Sequence, residues 1–307
     1  MLTSILIISY NTREMTLACL RSIFGKTSGL EFEEVIVLDN ASSDGSADAI
    51  AAGFPEVHLI RSEQNLGFAR GNNLAARDAR GKYLLLLNPD TEILGDAVQT
   101  VVTFAERRSD ASIVGGRTFF PGGKLNYESC HARPTVWSLL CMGMGLSALF
   151  RRSRLFDPES MGQWKRDSVR EVDAISGCFM LIPRDVWVRL GGFDESYFMY
   201  GEDMDLCLRA RSLGLRCVTC PGATLIHHGG ASETVRADKM IRLFLAKRQI
   251  FDRHWKPHAA SFGVRMLVLW AGTRALAFSL LSRVQPRYRA AAEAWGGVWR
   301  RRAEFSR

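Results

Sequence analysis

The chain has 307 residues, 47% apolar and 23% charged, a balance that excludes an intrinsically disordered protein and suits one large domain or one domain with an appendage. The formal net charge of +8 is unevenly placed. Residues 233–307 hold 16 Lys/Arg against 5 Asp/Glu (+11), leaving 24 against 27 (−3) in the first 232, so any acidic surface is met by the tail, and a nucleic-acid-binding body is excluded.

Taken in chain order, Ser4–Ser9 is a short apolar run of the kind that forms a buried strand, too short and not basic enough at its start for a signal peptide. Tyr10, Asn11 and Thr12 end it, and Thr16–Phe24 has helical spacing. Val35–Leu38 is a second strand. It runs into the polar turn Asp39-Asn40-Ala41-Ser42-Ser43-Asp44-Gly45-Ser46, then a helix at Ala47–Ala52. Val57–Ile60 is a third strand. Asn65–Asn73 reads as a glycine- and amide-rich connection into a helix over Leu74–Ala79. Tyr83–Leu87 is a fourth strand, ending at Asn88-Pro89-Asp90, and Leu94–Ala105 is a helix. Such alternation predicts a parallel sheet covered by helices on both faces. In these sheets ligands bind beyond the carboxyl ends of the strands, where Asn11, Asp39, Asn65 and Asp90 fall.

Residues 115–172 are irregular, and Val136–Phe150, with Met142 and Met144, reads as core or as a flexible lid. Ala174–Ile182 is a long apolar strand, followed by a short helix to Leu190 and the turn Gly191-Gly192-Phe193-Asp194. The run Tyr197-Phe-Met-Tyr-Gly-Glu-Asp-Met-Asp205 delivers Glu202, Asp203 and Asp205 to the start of a helix. Acids there complement the helix dipole, but an aromatic run that places a carboxylate at such a turn also suits a general base, with Asp203 the first candidate and Glu202 the second. Leu215–Cys220 and Ala223–Ile226 are strands, and His227–Ser232 closes the body. Seven scattered cysteines, odd in number and irregular in spacing, predict reduced thiols in a cytosolic setting. The Cys217–Cys220 pair has metal-site spacing but lacks a second such pair.

The tail from Glu233 to Trp255 is helical and basic. Phe262–Ser282 is long enough to cross a bilayer. Arg274 near its middle costs about 2.5–3.5 kcal/mol there, and Arg265 lies on the opposite helix side. A helix at the membrane surface, or packed on the body, is therefore expected, with Trp295, Trp299 and Arg300–Arg302 continuing the same character.

The strand-end groups define a chemistry. Asp39 can accept hydrogen bonds from a base or ribose. Asp90 is a hard oxygen ligand for magnesium or manganese beside a diphosphate. The turn Asn65–Asn73 offers backbone N–H groups for phosphate. No Walker or dinucleotide fingerprint is present. With Asp203 as a separate base, the set describes group transfer from an activated donor to a hydroxyl. Taken singly, Asp39 and Asp44 also suit helix caps, Asn73 another cap, and His227 a core histidine; their ordered co-occurrence favours an enzyme.

These residues, together with Ile8–Thr12, Leu38–Ser46, Asn65–Ala69, Gly71–Asn73, Asn88–Asp90, Ser176-Gly177, Gly191–Asp194, Gly201–Cys207 and His227–Ser232, resemble inverting family-2 glycosyltransferases of the bacterial rhamnosyltransferase-like branch, over about residues 3–232. The resemblance implies a GT-A nucleotide-diphospho-sugar transferase fold: α/β, Rossmann-like, with a mostly parallel central sheet, as a catalytic domain over 1–232 followed by a basic amphipathic helical tail over 233–307. It implies Asp203 as catalytic base with Glu202 beside it, and a divalent cation (Mg2+ or Mn2+) on Asp90 with His227. Donor contacts are implied for Tyr10, Asn11, Asp39, Asn40, Asp44, Asn65, Gly67, Asn73, Asn88, Asp90 and Gly177, and acceptor contacts for Ser176 and Asp205. Its partners would be a nucleotide diphosphate sugar, with dTDP-rhamnose the first guess, and a glycan or polyprenyl-linked glycan acceptor in cell-surface polysaccharide synthesis. The tail would hold the enzyme peripherally at the inner face of the cytoplasmic membrane. Departures are Asn88-Pro89-Asp90, with one acid where a DxD motif has two, and Ala174, where this branch often has an aromatic residue. Competing readings are a non-catalytic nucleotide-sugar-binding subunit, transfer of glucose, galactose or an N-acetylhexosamine, and a nucleotidyltransferase, for which Asn11–Glu14 lacks the glycine-rich basic loop.

Overall fold

A computed structural model describes residues 3–26, 34–108, 110–229 and 236–306. The expected helix start at Glu233–Val235 and the end of the His227–Ser232 motif lie outside the described residues. The chain forms β1 (Thr3–Ser9), α1 (Arg13–Lys26), β2 (Glu34–Asp39), α2 (Ser46–Gly53), β3 (His58–Arg61), α3 (Gly67–Asp78), β4 (Tyr83–Leu87), β5 (Thr91–Leu94) and α4 (Ala97–Arg107). Next come β6 (Ile113–Phe119), β7 (Leu125–Asn126), β8 (Cys130–His131), α5 (Val136–Gly143), α6 (Leu146–Leu149), β9 (Glu171–Val172), β10 (Ala174–Ile175), β11 (Phe179–Pro183), α7 (Arg184–Leu190), α8 (Glu202–Ser212) and β12 (Cys217–His227). The last elements are α9 (Arg236–His254), α10 (Pro257–Val284), α11 (Arg289–Arg300) and α12 (Ala303–Ser306).

Two compact units emerge. One comprises residues 1–131 and 165–232, the other 132–164 and 233–307. Segment 132–164, which the sequence division grouped with the sheet, thus clusters with the tail.

The first unit is built on a sheet of order β3-β2-β1-β4-β11-β6-β12-β5. β1 pairs in parallel with β2 and β4, β2 with β3, and β6 with β12. The apolar runs of β1, β2 and β4 are buried along their whole length, as central parallel strands covered on both faces must be. β11 runs antiparallel between β4 and β6, and β5 antiparallel to β12. Because β2 and β4 lie on opposite sides of β1, the chain reverses its winding there and opens a crevice at the strand ends.

Four local expectations are corrected. Ala174–Ile182 is not one strand: β10 pairs with β8, the chain breaks at Ser176-Gly177, and β11 then joins the main sheet. The two strands read after Leu215 are one, with a register irregularity between Thr219 and Thr224 around Pro221, which cannot donate a ladder hydrogen bond. Thr91–Leu94 is a strand ahead of the α4 helix. Asn65–Asn73 is mostly helix, because α3 starts at Gly67.

The second unit is helical. α10 packs against α5, α9 and α11. Phe244 of α9 packs against Trp270, Trp295 and, edge-on, Phe305 at centroid distances of 5.1, 6.4 and 4.8 Å. Trp295 is thus buried in a core rather than displayed on a membrane-facing surface. The Val136–Phe150 stretch forms α5 and α6, and Thr135 caps α5 in a reciprocal capping box with Ser138.

Candidate active site

The carboxyl end of β2 carries Asp39 and Asn40, both buried. Asp39 Oδ2 accepts from the Ser42 N–H at 3.1 Å, whereas Oδ1 is buried with no hydrogen-bond partner, an orphaned acceptor of the kind that marks a ligand position. Asn40 is spent on the protein. Its Oδ1 accepts from Leu66 N–H at 2.7 Å, and its Nδ2 donates to Asn65 Oδ1 at 2.9 Å and to the Gly67 carbonyl at 3.2 Å. Asn11, at φ 51°, ties β1 to the next turn by accepting from Ser43 N–H at 2.8 Å. Asp44 takes the Arg13 and Ser46 N–H groups at 2.9 and 3.0 Å and so organises the start of α2. Burial opposes ionisation of Asp44, but the Ser46 and Arg13 hydrogen bonds outweigh it and lower its pKa. Tyr10 sits half-buried beside this loop.

Three backbone N–H groups of the Asn65–Asn73 segment are engaged within the protein. The N–H groups of Leu66, Gly67 and Phe68 are taken by Asn40 Oδ1, Asn65 Oδ1 and the Phe198 carbonyl. Gly67, at φ +77°, lies so close to this carbonyl that an added Cβ would stand 2.3 Å from its oxygen. The same close approach brings α3 against the segment that leads to α8.

Asn73, expected at the donor, forms a clasp. Its Oδ1 accepts from Phe193 N–H at 2.9 Å and its Nδ2 donates to the Phe193 carbonyl at 2.8 Å, fixing the Gly191–Asp194 turn. Asp205, read as an acceptor contact, has no exposed surface. It pairs with Arg209 at 2.7 Å, and Arg209 donates to the carbonyls of Leu190 and Gly192 at 2.6 and 2.8 Å. Both residues anchor α8 to that turn.

The remaining acids of α8 divide clearly. Glu202 is buried, with Oε2 unpartnered. Burial, and next the charge of Asp203, push its carboxyl up to about 8, so it holds a proton at neutral pH. Asp203 is half-buried, and two N–H groups fix it: Gly177 N–H to Oδ2 at 3.1 Å and Met204 N–H to Oδ1 at 2.7 Å. Phe68 packs beside Gly177, where an added Cβ would lie 3.1 Å from its ring.

Asp90 and His227 converge from β5 and β12. Register pairs His227 with Thr91, which sets His227 Nε2 3.4 Å from Asp90 Oδ1, while Asp90 Oδ2 accepts from Gly229 N–H at 3.0 Å. Burial works against ionising both groups. Contact with His227 nevertheless lowers the Asp90 carboxyl, and contacts with Asp90 and Cys178 raise the His227 imidazole to about 10. Asn126 Nδ2 stands 3.4 Å from the other ring nitrogen. Asn88 donates its N–H to the Cys178 carbonyl at 3.1 Å, and its Oδ1 is buried without a partner. Ser176 is half-exposed and donates its N–H to the Ser129 carbonyl at 3.0 Å.

The break between β10 and β11 is therefore central. Gly177 touches Asp203 and the next residue, Cys178, touches His227. Sequence reasoning found Gly177 and missed Cys178 and Asn126. Both sit where a pattern reading sees only an apolar strand and an irregular stretch; proximity of Asn126 to His227 arises from the pairing of β7 with β6, which no local signal reports.

A mostly parallel α/β sheet with acids gathered at its strand ends, joined to a helical C-terminal region, is a GT-A glycosyltransferase architecture. The sequence model of glycosyl transferase family 2 matches residues 4–181, and the chain belongs to that family. It is 29% identical over 243 residues to the N-acetylglucosaminyl-diphospho-decaprenol L-rhamnosyltransferase of Mycobacterium tuberculosis, covering 70% of this chain and 75% of that protein. It is 28% identical over 267 residues to an uncharacterized protein of Sinorhizobium fredii, covering 84% of this chain but only 28% of that protein's length. The mannosyltransferase PcManGT of Pyrobaculum calidifontis, solved with GDP-Man and Mn2+, shares the fold with a TM-score of 0.57 at 17% identity, over 96% of this chain and 84% of that one.

Proposed function

We propose that this glycosyltransferase transfers a sugar, rhamnose first among candidates, from a nucleotide diphosphate to a hydroxyl of a polyprenyl-linked glycan, with inversion at the anomeric carbon. The observation that carries the reading is the division of the α8 acids. Glu202 is buried with Oε2 unpartnered, Asp205 is locked to Arg209, and Asp203 alone of the three combines a fixed carboxylate with an open side. Asp203 takes the proton of the acceptor hydroxyl as its oxygen attacks the anomeric carbon. The Gly177 and Met204 N–H groups hold the carboxylate in place. The orphaned Asp39 Oδ1 accepts from the base or ribose of the donor, and the half-exposed Ser176 borders the acceptor side.

A divalent cation fits Asp90 and His227. Adjacent ligands of an octahedral ion stand about 3 Å apart, near the observed 3.4 Å. Among the described residues no group of three or more His, Cys, Asp and Glu could hold a metal; Asp90 and His227 would be the two protein ligands. When bound, such an ion neutralises charge on the leaving diphosphate. The relative from M. tuberculosis, by its name, supports the polyprenyl-linked acceptor and the rhamnosyl donor, and the basic tail supports work at the inner face of the cytoplasmic membrane, in cell-surface polysaccharide synthesis. The test is Asp203→Asn, assayed for transfer and for donor binding. Loss of turnover by about three orders of magnitude or more with donor binding retained supports the base assignment; retained turnover overturns it.

A further inference from the structure

α10 has two apolar faces. Ala260, Gly263, Leu267 and Ala271 are buried at spacings of three and four that align them on one side. On the opposite side, at about 100° per residue, Leu276, Leu280 and Val284 are 64, 51 and 79% exposed. Gly143, at the end of α5, packs against Met266 and Leu269, and Thr273 Oγ1 donates to its carbonyl at 3.3 Å. Beyond that joint Met144, Leu149 and Phe150 are exposed as well. Neither 132–156 nor 253–292 contains an acid, and together they hold eleven Lys/Arg. Among these, Arg151, Arg265 and Arg283 are exposed. By length and composition α10 passes as a membrane span. In its middle it also meets α11, with Trp295 5.5 Å from Trp270 and Trp299 beside Gly272.

We infer that the α5–α6 turn and the outer face of α10 together form a docking surface for an anionic bilayer, with Leu149, Phe150, Leu276 and Leu280 entering the acyl boundary and the surrounding arginines on headgroup phosphates. The occupant follows from charge complementarity: exposed apolar side chains on two segments that carry eleven Lys/Arg and no acid of their own match lipid that is apolar within and anionic at its face. This deepens the membrane reading given above by naming its surface and partner, and moves that surface away from Trp295 and toward residues 144–151.

The test is co-sedimentation of the full chain with vesicles of phosphatidylglycerol and phosphatidylcholine, against phosphatidylcholine alone, at low and high salt. Neither donor nor acceptor is present, so a failed catalytic assignment leaves the result untouched, and Asp203→Asn should bind like wild type. Wild type should prefer the anionic vesicles and dissociate with salt. The pairs Leu149→Glu/Phe150→Glu and Leu276→Glu/Leu280→Glu should each lower partitioning about tenfold or more, and Arg151→Glu and Arg283→Glu about fivefold each or more; because the Phe150 ring also lies 4.9 Å from that of Phe156, circular dichroism of every variant establishes that its fold is kept. Unaltered binding by the paired variants overturns the inference. So does salt-independent binding to neutral vesicles, retention through an alkaline carbonate wash, or a wild-type dimer that the same pairs dissociate without any effect on vesicle binding.

Discussion

His227 Nε2 and Asp90 Oδ1 face each other at 3.4 Å because His227 stands opposite Thr91 in the antiparallel register of β12 and β5. Neither residue reaches the other through its own loop; the sheet brings them together. If this is the cation position, Asp90→Ala and His227→Ala should each weaken Mn2+ binding on the order of tenfold to hundredfold or more without unfolding the sheet. A titration of Mn2+ by electron paramagnetic resonance, with nucleoside diphosphate present, measures it. Wild-type transfer that is indifferent to EDTA rejects the assignment.

Glu202 gives a pH prediction. Its folded pKa of about 8 stands above the ordinary 4.5. Between those values the unfolded chain releases the proton while the folded protein keeps it, so stability falls as pH rises through that window and levels off above about 8. Glu202→Gln removes this loss. The melting temperature of the variant should gain on wild type from about pH 5 to about pH 8, by the equivalent of a few kcal/mol at most. Parallel pH profiles for the two proteins contradict a buried, protonated Glu202.

Gly192 and Asn73 form a clasp behind α8. Gly192 has φ +69°, and an added Cβ would lie 2.5 Å from Asn73 Oδ1, in the same hydrogen-bonded turn that Arg209 grips. Gly192→Ala should cost about 2–3 kcal/mol and Asn73→Ala about 1–2 kcal/mol, read by urea denaturation. Because the turn seats α8, both should also reduce turnover by more than they raise the donor KM. An effect on donor KM alone returns Asn73 to the donor site.

Gly67→Ala should be the harshest small change in the first unit. The substitution meets a backbone carbonyl at 2.3 Å and a left-handed φ at once, so the loss should exceed about 2 kcal/mol. A melting temperature within a few degrees of wild type contradicts the close approach of α3 to Phe198.

Much of this site was legible as strand ends. Asp39, Asp90 and Asp203 each follow an apolar run by a short step, and the apolar runs of β1, β2 and β4 admit only buried strands. What stayed hidden depends on pairing. Ser176-Gly177 looks like the interior of one apolar strand, and nothing local says that the chain changes partners there. Asn73 and Asp205 look like site residues because amides and acids near glycine turns often are; their hydrogen bonds run to residues 191–194 and to Arg209, separations that periodicity does not encode. The amide-rich stretch after Asn65 looks like a connection, yet the N–H groups of Leu66, Gly67 and Phe68 are satisfied by Asn40, Asn65 and Phe198, and helix follows.

The second unit is assembled from a segment in the middle of the chain and from its end. During synthesis α5 leaves the ribosome with Leu139 and Met142 bare, and the helices that cover them follow only after β9 to β12. Until α9 and α10 emerge, this half-formed core is open to chaperones and to aggregation. Truncation before residue 233 freezes the protein in that state. A shortened chain that precipitates therefore reports an unfinished core, and point substitutions on the outer face of α10 are the sound route to its role.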